Sequence, residues 1–211
     1  VIGANDGVLS TASLVLGVAT ATHSYGSILI AGVSGLVAGA LSMAAGEYVS
    51  VSSQADVEKA DLARERGELA TNKDAELREL TEIYVQRGLT RELAAQVAQQ
   101  LTAKDALAAH TRDELGITEE TMARPLQAAL ASATSFSAGA VIPIFAAMLA
   151  PISIVVAAVY ITSLIILAAL GALGARAGGA PLWPATLRVI FWGIVAMAIS
   201  AGIGMLFHIQ V

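Results

Sequence analysis

No cysteine occurs anywhere in the 211 residues, which excludes disulfides, thiolate metal sites and any cysteine signal of redox compartment. Histidine is almost as scarce, and His23, His110 and His208 are scattered rather than clustered. The residue three before His110 is Leu107, so the Glu-x-x-His pairs of a di-iron oxidase bundle are missing and an enzyme of that kind is not expected. Charge is the third shortage. Asp, Glu, Lys and Arg make up 14% of the chain against 56% hydrophobic residues, and the mean hydropathy of +0.70 lies far outside the soluble range.

The few charges are concentrated. Ten of the twelve Lys and Arg and fifteen of the seventeen Asp and Glu lie between Val51 and Pro125, leaving Asp6, Glu47, Arg176 and Arg188 outside. That window therefore carries the whole formal net charge of −5. The composition divides the chain into residues 1–50 with two membrane spans, a polar insert at 51–125, and residues 126–211 with three further spans.

Val1 to Ala21 is apolar except for Asn5 and Asp6, and about 20 such residues suffice to span a bilayer. The chain starts without Met, so residues upstream are expected, and neither a basic n-region nor a small-residue cleavage site marks a signal peptide. Ile28 to Ser50 is the second span, in which Gly35 and Gly39 form a GxxxG spacing suited to close helix approach. No charge appears from Leu126 to Leu173, room for two spans with Pro151 at the turn. Thr186 to Phe207 is the fifth. The turns after spans one and three carry no Lys or Arg, so the insert and N-terminus are expected in the cytoplasm and the C-terminus outside. The predicted fold is an all-α membrane protein: five transmembrane helices with a cytoplasmic three-helix acidic domain between helices two and three.

The insert reads as an acidic helix from Asp56 to Glu82, a second helix from Thr90 to Ala109 and a short third from Arg112 to Ala123. Thr90 is the expected N-cap of the second, whose Leu93, Ala94, Val97, Ala98 and Leu101 recur with helical period. In the first, Asp61, Glu65 and Glu68 share one side, and Glu76 and Glu79 repeat the Glu65–Glu68 spacing eleven residues on. Four glutamates then line one stripe if the helix is continuous through Gly67. A second acidic cluster, with Glu114, Glu119 and Glu120, follows around Gly116.

Asp6 is the polar residue in the membrane that most needs a reason, since an Asp at the centre of a span costs at least about 2.5–3.5 kcal/mol. It is read either as an interfacial helix cap or as a cation or proton site. Met43 lies one turn before Glu47 on the same face. A thioether beside carboxylates suits a first-row transition metal better than calcium or magnesium, although core packing and an interfacial position are the plainer readings of Met43 and Glu47.

Three stretches resemble the vacuolar iron transporter family, particularly its shorter bacterial and nodulin-like branch. GANDGVLSTASLVLGVATA (Gly3 to Ala21) is similar to that family's first helix, GLVAGALSMAAGEYVSVSSQAD (Gly35 to Asp56) to its second, and SATSFSAGAVIP (Ser132 to Pro143) to its third. The likeness covers essentially the whole chain. It implies a homodimer in the lipid bilayer that exports Fe²⁺, and often Mn²⁺, from the cytoplasm in exchange for protons. The metal is then substrate and H⁺ the coupling ion, with no tightly bound cofactor and no nucleic-acid partner. The membrane implied is the bacterial inner membrane, or the vacuolar one in a eukaryote.

By the same resemblance the transport path falls on Asp6 and Met43, with Glu47 standing where the nodulin-like branch has its glutamate. The cytoplasmic metal ligands fall on Glu65, Glu68, Glu76, Glu79 and Glu114. Two departures from the plant-type pattern bear on metal preference. Gly35 replaces a glutamate two turns before Met43, and His110 with Thr111 replaces a methionine pair. An imidazole at His110 is a good Fe²⁺ or Mn²⁺ ligand. The expected function is proton-coupled divalent metal transport, with glutamates of the insert collecting the ion. A passive channel is one alternative, and a membrane-anchored metal sensor or storage module without transport is another.

Overall fold

A computed structural model describes residues 1–118 and 121–207; Glu119, Glu120 and His208 lie outside the described residues. Among those described, all regular structure is helical. The order is α1 (Ile2–Ala21), α2 (Tyr25–Thr71), α3 (Lys73–Gln86), α4 (Arg91–Asp113), α5 (Pro125–Leu149), a 3-10 turn (Ile152–Ile154), α6 (Val155–Ala177) and α7 (Leu182–Leu206). Among the described residues, α1, α2, α5, α6 with its preceding turn, and α7 are the five helices long and apolar enough to cross a membrane. The chain divides into two compact units, Val1–Glu47 with Leu126–Val211, and Tyr48–Pro125.

In the first unit α1 is the buried element. Val8, Ala12, Val15, Leu16 and Ala19 recur at helical spacing and pack with Val155, Val159 and Leu167 of α6 and Met197 of α7. Small residues decide which backbones touch. A Cβ at Gly7 would collide with the carbonyl oxygen of Phe136, and one at Gly139 with that of Ala4, so α1 and α5 meet main chain to main chain. Gly35 and Gly39 play a different part from the one the GxxxG spacing suggests. They make notches in α2 that receive the side chains of Leu14 and Phe136. Tyr25 Oη lies 2.7, 2.7 and 2.8 Å from the carbonyl oxygens of Ala147, Met148 and Ala150, and so closes the end of α5 where helical partners run out.

The second unit departs from the sequence reading in three ways. α2 does not stop after its apolar stretch but continues unbroken, through Gly67, to Thr71. The acidic run is not one helix: it breaks at Asn72, the N-cap of α3, with Asp74 and Glu76 in the first turn. Glu65 and Glu68 therefore belong to α2, whereas Glu76 and Glu79 belong to α3, and the four do not form one stripe. Third, the short helix expected from Arg112 to Ala123 is absent among the described residues. α4 instead runs on to Asp113, and residues 114–118 and 121–124 are turns and irregular chain.

α3 and α4 form a hairpin closed by Gly88, whose φ of +100° only glycine adopts freely, and by Thr90. The Thr90 side chain accepts from the Leu93 N–H at 3.4 Å, as the capping pattern predicts. The apolar core between them is small: Leu80, Ala98 and Ala109, flanked by Leu77, Tyr84 and Leu101. A polar clamp supplements it. Asp113 accepts from Arg87 Nη1 at 2.7 Å, Arg112 Nη2 at 2.6 Å and Tyr84 Oη at 2.7 Å. These bonds hold its carboxyl well below the ordinary range despite burial, and burial, then the bond to Asp113, pushes the Tyr84 phenol up.

Candidate metal centre

Glu65, Glu76, His110 and Glu114 come together within the second unit, each offering a ligand atom within 4.8 Å of the others. His110 Nδ1 lies 2.9 Å from Glu114 Oε2, 3.0 Å from Glu65 Oε1 and 3.9 Å from Glu76 Oε2. His110 and Glu65 are buried almost completely and Glu76 nearly so, while Glu114 forms the open side.

The arrangement depends on an irregularity in α4. Ala94, Ala98 and Leu101 face the hairpin core. In an unbroken helix His110 would stand roughly half a turn from Leu101, on the opposite side. Asp105 prevents this by adopting extended backbone, φ −164° and ψ 97°, in the middle of the helix. Its Oδ1 accepts from the Ala108 N–H at 2.9 Å, capping the second half as a new helix start. The phase is reset, and Ala109 and His110 turn inward. Glu114 follows one turn later at the C-cap.

The electrostatics of the cluster are unfavourable without a cation. Nδ1 carries at most one hydrogen, and the contact with hydrogen-bond geometry is the one to Glu114, the donor being set by the tautomer. Glu65 Oε1, although near the same nitrogen, is a buried carboxylate oxygen with no donor among the described residues, which is costly. Desolvation, then the charge of Glu114, raises the pKa of Glu65 against the opposing effect of His110. Desolvation, then Glu79, does the same to Glu76. A divalent ion bound by these carboxylates and by Nδ1, with the ring proton on Nε2, would relieve both the repulsion and the orphaned oxygen. Oxygen ligands with one imidazole suit Fe²⁺, Mn²⁺ or Zn²⁺ better than Mg²⁺.

Of the six insert residues singled out from sequence, four meet in this cluster. Glu68 and Glu79 stand outside the set, acting on it through their charge. Sequence reasoning missed Asp105 and Asp113. Asp105 carried a signal, a capping residue before Ala-Leu-Ala within a helical pattern. Asp113 carried none.

The membrane unit holds two cavities of interest. One, of about 260 Å³, is lined by Asp6, Ser10, Thr11 and Leu14 of α1, Gly35, Gly39, Ser42 and Met43 of α2, and Phe136. The other, of about 1050 Å³, takes in Asn5, Glu47 and Arg188, with Met43 again on its wall. Asp6 and Met43 thus share a cavity, whereas Glu47 meets Met43 in the neighbouring one.

Five apolar helices long enough to cross a bilayer, with a buried carboxylate–imidazole cluster in a separate unit, define a helical membrane protein with a candidate metal centre. The chain belongs to the VIT family, whose model matches residues 1–205. A protein of Acanthamoeba castellanii named vacuolar iron transporter is 45% identical over 207 residues, covering 98% of this chain and 76% of that protein. Vacuolar iron transporter homolog 2 of Arabidopsis thaliana is 35% identical over 209 residues, covering 96% and 80% respectively. Vacuolar iron transporter homolog 1 of Oryza sativa subsp. japonica is 36% identical over 208 residues, covering 98% and 72%.

Proposed function

We propose that this protein is a transporter, not an enzyme, and that it moves Fe²⁺, and Mn²⁺ as a second substrate, out of the cytoplasm in exchange for protons. The observation that carries the metal assignment is the group of buried Glu65, Glu76 and His110 with the exposed Glu114, in which Glu65 Oε1 has no donor among the described residues. The names of the relatives favour iron. In this reading the unit Tyr48–Pro125 is cytoplasmic, and its cluster takes up the hydrated ion, with Glu68 and Glu79 adding attraction. Asp6 and Met43, which line one cavity, carry the ion within the membrane. Asp6 and Glu47 bind either metal or protons, and that competition couples the two fluxes. Two copies of the chain form the working unit. α2 is the least buried of the five spans among the described residues, which leaves most of that helix for lipid and a second copy.

A sensor or storage role without transport has one observation in its favour: the whole cluster lies in the unit that contains neither Asp6 nor Met43. Flux separates the two readings. Proteoliposomes holding the full chain should take up Fe²⁺ and Mn²⁺ but not Ca²⁺, and faster with an opposing proton gradient. Uptake at the rate of empty vesicles would leave only the sensor or storage role, and uptake indifferent to the gradient would indicate a channel.

A further inference from the structure

Hydroxyls on the helices of this protein usually fold back on their own backbone. Ser10 donates to the carbonyl of Asp6 at 2.7 Å, Thr20 to Leu16 at 2.9 Å, Thr81 to Leu77 at 2.7 Å, Thr134 to Leu130 at 2.7 Å and Ser137 to Ala133 at 2.8 Å. Each bond reaches four residues back, the ordinary way to satisfy a hydroxyl where water is scarce. Thr11 breaks the pattern. It is 1% exposed, and its Oγ1 has no partner among the described residues, although Ser10 beside it makes the usual bond. The hydroxyl oxygens of Ser13, Thr102 and Ser163 are also buried and unpartnered among the described residues, but none of these residues is on the wall of the Asp6–Met43 cavity, and Thr11 is.

From this we infer that Thr11 Oγ1 is a further ligand for the divalent cation, replacing one water of its hydration shell inside the cavity shared with Asp6 and Met43. The inference rests on the reading that this cavity carries the ion. A buried hydroxyl left without a partner is unfavourable to the fold, and a cation passing the cavity gives the oxygen the interaction it lacks. The chemistry is suitable. Carboxylate, hydroxyl and thioether together make a mixed site for Fe²⁺ or Mn²⁺. A neutral oxygen assists dehydration without adding a second full charge, which would hold the ion too firmly to leave.

The test uses the full chain in proteoliposomes, with Thr11→Val, Thr11→Ser and Asp6→Asn measured for Mn²⁺ flux and for thermal unfolding in detergent. Valine keeps the shape and removes the hydroxyl. Thr11→Val should lower flux about tenfold, the scale on which metal sites respond to a lost polar partner, with the unfolding temperature unchanged or higher. Thr11→Ser should restore flux. Wild-type flux in Thr11→Val beside an inactive Asp6→Asn would overturn the role of Thr11 while leaving the cavity as the path. Full flux in Asp6→Asn would overturn the path itself. A joint loss of flux and unfolding temperature in Thr11→Val, unrelieved by serine, would mark the hydroxyl as structural and end the inference.

Discussion

His110 Nδ1 and Glu65 Oε1 lie 3.0 Å apart, yet the hydrogen-bond geometry of that nitrogen is with Glu114 Oε2, 2.9 Å away. The contact is thus a carboxylate oxygen beside a ring nitrogen without a hydrogen bond between them. Glu65→Gln should remove a charge from a site that needs it only for metal. Mn²⁺ affinity of the full chain, read by calorimetry, should fall at least about tenfold. The metal-free protein should at the same time gain about 1 kcal/mol, because like charges and an orphaned carboxylate oxygen are removed together. Unchanged affinity, or a less stable metal-free protein, would contradict the cluster as a metal site.

Asp105→Ala tests whether the break in α4 is what aims His110. Alanine favours continuous helix and cannot cap the Ala108 N–H. His110 should then leave the cluster, and nitrogen coupling should disappear from the spin-echo spectrum of bound Mn²⁺. Asp105→Ser, which caps almost as well, should keep it. Equal nitrogen coupling in both variants would show that the helix phase is fixed elsewhere.

These two residues mark where sequence reasoning stops. Runs free of charge announce membrane spans because length and polarity alone decide the matter. All five were legible, and so was the cap at Thr90. Which glutamates meet is another kind of question. The eleven-residue repeat placed Glu65 and Glu76 on one stripe, whereas Asn72 breaks the helix and folding brings them together from α2 and α3. His110 was recognisable as a ligand type, but its direction depends on one extended residue that periodicity does not register. The length of α2 was hidden for the opposite reason. Composition changes from apolar to charged within it, while backbone helicity does not.

Acidity should act on the metal-free protein in two opposite stages. Glu65 and Glu76 have folded-state pKa values raised above the ordinary 4.5, so the folded state holds protons that the unfolded state has released. Stability should therefore fall as pH rises through that window and recover on return. Asp113 is shifted the other way, below 3.8, so its contribution is present above that value and lost as pH falls further. A maximum in mildly acid solution follows, and Mn²⁺, which binds the ionised carboxylates, should move it upward. Asp113→Asn should cost about 2 kcal/mol near neutrality by loosening Arg87, Arg112 and Tyr84 together. Thermal unfolding across pH, with and without Mn²⁺, provides the check. A metal-free unfolding temperature that climbs steadily from acid to neutral pH would contradict the raised carboxyls.

Collection and passage are separable by mutation. Asp6 lines the membrane cavity and belongs to a different unit from Glu65 and Glu76. Asp6→Asn keeps size and hydrogen bonding but cannot carry charge or exchange a proton. It should abolish flux while calorimetry still finds the cluster binding Mn²⁺ with unchanged affinity. Glu65→Gln with Glu76→Gln should do the reverse, weakening binding and raising the metal concentration for half-maximal flux with a smaller effect at saturation. A collecting site alters local supply, whereas an obligatory site in the path alters turnover itself. A sensor or storage protein would reverse the order, with Asp6→Asn silent in metal-tolerance growth and the cluster decisive. Full flux in Asp6→Asn would therefore remove Asp6 from the path and, with it, the carboxylate at which metal and proton were argued to compete.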